Sequence, residues 1–467
     1  MRILATFILA CALLGAPAAH AATVSVAGST LLVTAAPGEQ NLVTIGSGGS
    51  VGDAGAPLVA GPGCSAAGSD VSCPGVASVI ADLGDGDDTL TSSLPLVATD
   101  GPGDDRVTGG SAADTFVASP GTDAYVGGSG SDTVDYGART TPVIVDLASA
   151  DGEDGFASVE NAVGGSGADR ITGTGAANRL SGGGGDDVLD GRTGRDQLEG
   201  GEGNDTADYS RRTVRVWADL DGNADDGEWS ERDRVGADVE RLLGGAASDN
   251  LTGDDDPNLL DGGAGNDALD GNGGADTLAG GSGDDRAWGD AGNDTFSLAA
   301  GNDQAWAGDG ADVVAGGEGN DSAWGGTGSD RLAGEDGNDT LLGDQGDDAL
   351  DGAAGNDALS GGDGTDSLTA GAGDDAAHGN AGNDTLSGDV GNDQLWGDAD
   401  HDTIAGDLGT TRCGATPATT RWPEATAATR WPAATETTRW PAPRAPTRWR
   451  ATPATTRSPA ARRATHS

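Results

Sequence analysis

Large apolar residues in the second half of this chain stand singly, nine positions apart, in a background of glycine and polar residues. Leu269, Leu278, Phe296, Val314, Leu332, Leu341, Leu350, Leu359, Leu368, Leu386, Leu395 and Ile404 share one register, and only alanine fills it at Ala287, Ala305, Ala323 and Ala377. A period of nine matches neither an amphipathic helix nor a long alternating strand. It fits a three-residue strand whose middle side chain faces inward, followed by a six-residue turn. Two such units make one coil of a solenoid, with strands on opposite faces, and a fixed short period of this kind marks a repeat architecture.

Residues 22–83 lack the beat. Val24 to Val26, Leu31 to Thr34 and Leu42 to Ile45 predict short strands split by Gly, Pro and Ser turns. A small N-terminal β cap, hiding the first open strand edge of a solenoid, is expected there. Repeats begin at Gly84-Asp85-Gly86-Asp87-Asp88-Thr89-Leu90, break, and resume at Asp105, Asp114, Asp123 and Asp132, giving a first repeat segment over 84–135. Two insertions, 136–164 and 206–248, interrupt them. These are copies of one another: Asp132-Thr133-Val134-Asp135-Tyr136 matches Asp205-Thr206-Ala207-Asp208-Tyr209, and Val159-Glu160 matches Val239-Glu240. Apolar and polar residues alternate from Thr213 to Trp217, so each insertion is expected to be a short β-hairpin or an extra coil. Fresh repeats follow over 165–205 and 249–409.

Each inward position follows an aspartate by two. In the long array these are Asp267, Asp276, Asp285, Asp294, Asp303, Asp312, Asp321, Asp330, Asp339, Asp348, Asp357, Asp366, Asp375, Asp384, Asp393 and Asp402. Asp88, Asp105, Asp132, Asp169, Asp187, Asp196, Asp205 and Asp249 hold the same place in earlier repeats. Around each sits a version of Gly-Gly-x-Gly-x-Asp-x-U-x, with U a large apolar residue; Gly262-Gly263-Ala264-Gly265-Asn266-Asp267-Ala268-Leu269-Asp270 is a clean copy. Glycine serves turns whose backbone angles a Cβ forbids, and it lets carbonyls crowd together. Carbonyl and carboxylate oxygens on such turns are the ligands of calcium, which takes six to eight oxygens in relaxed geometry. All these aspartates are therefore candidate metal ligands, and multiple Ca2+ ions the expected cofactors.

These motifs resemble the RTX, or haemolysin-type, calcium-binding nonapeptide family over most of residues 84–409. The resemblance implies an all-β fold, a right-handed parallel β-roll (a β-solenoid) with rows of calcium along both edges. It implies about a dozen ions in the long array, one between each stacked pair of turns. The fifth position departs from Asp or Asn at Ala275, Ala311, Ser329, Thr365 and His401, and the core is thin at the alanines. Family members exported in one step usually lack a cleaved N-terminal signal, whereas this chain has one.

Composition strengthens this reading. The 467 residues include 84 glycines and only 35% hydrophobic residues, too few for one large globular core. Net charge is -51, and all basic residues are arginine. Such a chain is expected to repel nucleic acid and anionic membranes and to stay expanded without a cation. Residues 1–21, with Arg2, an apolar run and Ala19-His20-Ala21, predict a cleaved signal peptide and a secreted protein. Ile8-Leu9-Ala10-Cys11 only partly fits a lipoprotein box, and no later stretch is apolar enough to span a bilayer. Cys64 and Cys73 predict a disulfide in an oxidising compartment.

Trp288, Trp306 and Trp324 stand eighteen residues apart, with Trp396 in register, so they are expected to line one outer face. They are candidate ligands for sugar rings, making glycan or cell-surface partners one reading and a packing feature the other. Asp219 to Asp225 resembles an EF-hand loop, but Ala224 stands at its obligatory glycine and Ser230 at its bidentate glutamate. No zinc-protease helix motif and no nucleophile elbow occurs, and a non-enzymatic chain is expected.

From 410 onward acids give way to ten arginines against two glutamates, so 410–467 is expected to be a disordered tail. The beat nevertheless persists: Thr411, Thr420, Thr429, Thr438, Thr447, Thr456 and Thr465 stand where the next aspartates belong. A coding run GAC-GAC-ACG-CTG-GCC-GGC-GGC, which encodes Asp-Asp-Thr-Leu-Ala-Gly-Gly, reads Thr-Thr-Arg-Trp-Pro-Ala one base late. That is the motif of the tail. Frameshifted repeats are the first explanation, and a genuine basic tail for acidic polymers the second. Resequencing codons 405–412 is expected to reveal a frame break; an intact frame with unrelated codons would rule it out.

Overall fold

The computed structural model describes residues 22–414 except 37, 39 and 150–153, together with the backbone of 428–430. The signal segment, with Cys11, and most of the tail lie outside the described residues. Every regular element among the described residues is a strand, and no helix there is long and apolar enough to cross a membrane. The chain forms two compact units, 1–187 and 188–467.

In the first unit parallel stacking already begins within the expected cap. Thr30–Thr34 pairs with Ser78–Asp82, placing Leu31 beside Val79, and Leu42–Ile45 pairs with Thr89–Ser92, placing Val43 beside Leu90. Antiparallel pairing is confined to the end of the unit, where Thr23–Ala27 covers Thr30–Thr34 and Ser50–Asp53 covers Leu42–Ile45. A disulfide joins Cys64 to Cys73 across the outermost hairpin, Ser65–Ala67 with Asp70–Ser72. The sequence break after Asp88 is a complete coil, since Leu96–Thr99 lies between Ser78–Asp82 and Thr115–Val117 in parallel.

The first insertion is an extra coil, not a hairpin. Ile144–Asp146, Gly155–Ala157 and Asn161–Val163 each pair in parallel, with Arg170–Thr172, Ala124–Val126 and Thr133–Asp135. A hairpin would reverse the chain; instead it keeps winding, so Val145 and Ala162 enter the core in register. The second insertion, in the second unit, combines both forms. Val216–Asp219 is antiparallel to Gly227–Glu228 and parallel to Asn250–Thr252, and Arg241–Leu243 lies parallel to Thr206–Asp208.

Beyond it, two parallel sheets climb together in steps of eighteen residues. One carries Leu269, Ala287, Ala305, Ala323 and Leu341 in line, the other Leu278, Phe296, Val314 and Leu332. All are buried. Where the first sheet thins to alanine, the second supplies Phe296 and Val314, so small and large side chains share the core. The strand Leu408–Gly414 runs past the expected tail boundary: Cys413 pairs with Leu395 and is buried, because the persisting beat delivers it to an inward position.

Leu341 is fully buried, whereas Leu342 points out of the sheet and is half-buried. Leu341→Ala is therefore expected to cost about 2–5 kcal/mol, and Leu342→Ala much less, measured as the shift in urea midpoint.

Candidate metal centre

Each coil of the long array brings two aspartates to opposite edges, forming two rows. Within a row, the backbone N–H of one aspartate donates to Oδ1 of the aspartate one coil later. Asp267 donates to Asp285 at 2.8 Å and Asp276 to Asp294 at 2.8 Å, and the pattern runs on to Asp384 and Asp402 at 3.2 Å. One carboxylate oxygen is thus committed to holding coils together.

The other oxygen is not. Oδ2 of all sixteen aspartates from Asp267 to Asp402, and of Asp88, Asp105 and Asp132, is buried and has no hydrogen-bond partner. In fourteen of these nineteen it faces the first glycine of its own repeat, in several coils beside a carbonyl of the next coil; Leu83, Asp100, Leu298, Ala307 and Ala370 hold that place before Asp88, Asp105, Asp303, Asp312 and Asp375. A Cβ on Gly316 would stand 2.5 Å from Asp321 Oδ2 and 2.9 Å from the Gly334 carbonyl; on Gly325 it would stand 2.5 Å from Asp330 Oδ2 and 2.7 Å from the Gly343 carbonyl. At these glycines carboxylate and carbonyl oxygens converge on a space that a Cβ would narrow. A buried carboxylate oxygen without a donor is costly unless a cation or a proton neutralises it. An all-oxygen, carboxylate-rich donor set suits a hard divalent cation such as calcium.

Protons are the competing neutraliser. Burial, reinforced by neighbouring aspartates, raises the carboxyl pKa to about 7 at Asp267, Asp276, Asp303 and Asp357 and to about 6 at Asp312, Asp348 and Asp366.

A family model described as the RTX calcium-binding nonapeptide repeat (4 copies) matches 99–134, then overlapping windows from 154–186 to 172–207, and from 243–278 to 378–411. The chain belongs to the RTX family. No curated protein matches it. It is accordingly a calcium-binding repeat protein.

The remaining aspartates of this RTX protein fall into several settings. Asp187 accepts the Asp169 N–H at 2.6 Å, continuing the row pattern. Asp132, Asp196 and Asp205 donate their N–H groups to Glu160, Asp233 and Glu240 at 2.9, 2.8 and 2.7 Å. The insertions thus provide acidic stand-ins for missing repeat aspartates, which sequence reading overlooked; the matched pair Glu160 and Glu240 was the available signal. Asp169 and Asp249 differ: a second backbone N–H, from Gly165 and Gly245, reaches Oδ2 at 2.6 Å in both.

Asp100 was also missed. It occupies the first-glycine place of Asp100-Gly101-Pro102-Gly103-Asp104-Asp105 and is buried. One carboxylate oxygen of each of Asp100, Asp105 and Asp123 lies within 4.8 Å of the others, and Tyr125 Oη donates to Asp100. Burial pushes Asp105 up to about 8 and Asp123 to about 7. Asp219, Asp221 and Asp225 of the EF-hand-like loop also gather within 4.8 Å, but at the surface.

Trp288, Trp306 and Trp324 stack at centroid spacings of 5.0 Å, with interplanar angles of 4° and 2°. Trp396 stacks on His378 instead, at 4.3 Å. Each tryptophan covers its neighbour's face, so the ladder presents mainly ring edges outward. A sugar stacks on an open face, and this geometry favours packing.

The raised carboxyl pKa values set a pH dependence. The calcium-free folded chain holds protons that the unfolded chain, titrating near 3.8, does not. The resulting stability is full below about pH 4 and is lost as pH rises through about 6–7. Without calcium, the β signal absent at pH 8 is expected to appear on acidification to pH 5, measured by circular dichroism; with millimolar calcium this gain should shrink or disappear.

Proposed function

We propose that this chain is a secreted, non-enzymatic structural or adhesive module whose roll folds on binding many calcium ions. The observation that carries this reading is the unbroken series of buried, donor-free Oδ2 atoms from Asp267 to Asp402. Calcium that binds the folded coils and not the unfolded chain contributes folding free energy. At low calcium, carboxylate repulsion leaves the chain expanded and suited to export; at extracellular calcium it becomes a long spacer. The start of the sequence, with Arg2 before an apolar run, supports secretion. The tryptophan ladder gives a sugar-binding role little support, because its ring faces are mutually covered.

Circular dichroism tests the coupling. Parallel β signal is expected in millimolar calcium and its loss with chelator at pH 7.5. Equal signal in both conditions would sink the proposal.

A further inference from the structure

Most repeat turns are of two kinds, and the difference lies in the backbone of the second residue of the nonapeptide; the turn of Asp123, where Ser119 is not left-handed and Tyr125 Oη reaches Oδ2, belongs to neither. In the array from Asp267 to Asp402 this residue is always left-handed. It is so even at the nine turns where it is not glycine, from Asn272 to Asp398, with φ between 52° and 74°. In every one of these turns no N–H reaches Oδ2 of the aspartate four residues on. These turns are open.

Five turns are closed. In them the second residue is not left-handed, and its N–H donates to the side chain four residues on. Gly110 donates to Asp114 at 2.8 Å, Gly165 to Asp169 and Gly245 to Asp249 at 2.6 Å, and Thr174 to Asn178 and Asp254 to Asn258 at 2.7 Å. The three aspartates also accept a second N–H on Oδ1, from Leu96, Val143 and Val216 at 2.7, 2.8 and 2.8 Å. Both oxygens of each carboxylate are thereby satisfied. An N–H directed at Oδ2 also brings positive polarisation to the place a cation would take.

Residue type does not sort the classes. Gly165 and Gly245 are closed while Gly263 is open with φ of 90°. Closure goes with the coil beneath, although Gly84 stays left-handed above the cap, where the Asn41 N–H donates to Asp88. Each closed turn rests on chain that is not a nonapeptide. Ser166 donates to the Arg139 carbonyl at 2.9 Å and Ala246 to the Arg212 carbonyl at 2.8 Å, both in insertions. Asn178 donates to the Glu160 carbonyl at 2.6 Å, and Leu259 donates to the Glu240 carbonyl at 2.9 Å. Gly110 packs 3.1 Å from the Ser92 carbonyl, measured from an added Cβ. In the long array each turn rests instead on another nonapeptide.

We infer that only the open turns take calcium, and that Asp114, Asp169 and Asp249 are structural acceptors despite their place in the motif. The calcium ladder therefore stops at each insertion and restarts one coil later, leaving a coil closed by protein hydrogen bonds alone. The sequence carries an independent mark of this. Asparagine replaces the motif aspartate at two of the five closed turns, Asn178 and Asn258, and at none of the sixteen positions from Asp267 to Asp402. A neutral acceptor suffices where no cation needs charge. This inference rests on the calcium reading proposed above.

Bound calcium per full-length chain, measured after equilibrium dialysis against millimolar calcium, tests it with three variants. Asp321→Asn should hold less calcium than the unmodified chain. The double variant Asp169→Asn with Asp249→Asn should hold as much. The converse double variant, Asn178→Asp with Asn258→Asp, restores the motif and should add none; it retains the fold if the first double variant disturbs it. A loss in the first double variant matching that of Asp321→Asn per site, or a gain in the second, overturns the inference and leaves calcium binding by the rows intact. An unchanged count in Asp321→Asn overturns the calcium reading of the rows, and this inference with it.

Discussion

A carboxylate oxygen that is buried, charged and without a donor sets the terms for everything else in this chain. The winding of the coils drives Oδ2 of most repeat aspartates into a space bounded by a glycine Cα and, in several coils, a carbonyl of the following coil. Leaving it there bare is expensive, because neither water nor an N–H replaces the lost hydration. Two neutralisers are available, a proton and a divalent cation, and they compete for the same atom. That competition links the raised carboxyl pKa values to calcium: what favours a proton in the calcium-free coil is what favours an ion when one is present.

Repetition turns this local condition into an architecture. Each coil contributes little apolar area, often one leucine or alanine per strand, and could not stand by itself. Stacking compensates in three ways at once. Inward side chains line up in register, as Leu278, Phe296, Val314 and Leu332 do. Oδ1 of each aspartate ties its coil to the one before. The outward tryptophans stack at the spacing of neighbouring strands, on the strands whose inward residues are alanine. The left-handed backbone at Glu335 and Ala353, unfavourable for L-residues, is imposed by neighbours and tolerated for the same reason.

The insertions show how far the plan bends. Both keep the coil winding and return acidic side chains, Asp154 and Glu160 in one and Asp233 and Glu240 in the other, to places where repeat aspartates would accept an N–H. What they do not return is a nonapeptide turn for the next coil to rest on. The chain meets this with a differently turned peptide, so that an N–H reaches Oδ2 at Asp169 and Asp249.

Most of this was legible from periodicity. A nine-residue beat of aspartate and inward leucine determines strand, turn, coil and the candidate ligand set, because each repeat contacts only its neighbours and local spacing carries over directly into space. The expected strands at Val24, Leu31 and Leu42 were read from the same local cues. Three things were not legible. A hairpin and an added coil have the same alternation, so the first insertion could not be told from a hairpin by pattern. Asp100 lies in the break before the repeats resume at Asp105, and only the stacking of coils brings Tyr125, a coil further on, to bond it. The difference between Gly165 and Gly263 is invisible in residue type, since it depends on which segment lies one coil beneath. Sequence alone determined where the carboxylates recur; the stacking of coils decided which of them keep an oxygen free, because the sign of a single φ responds to a carbonyl that arrives from elsewhere in the chain.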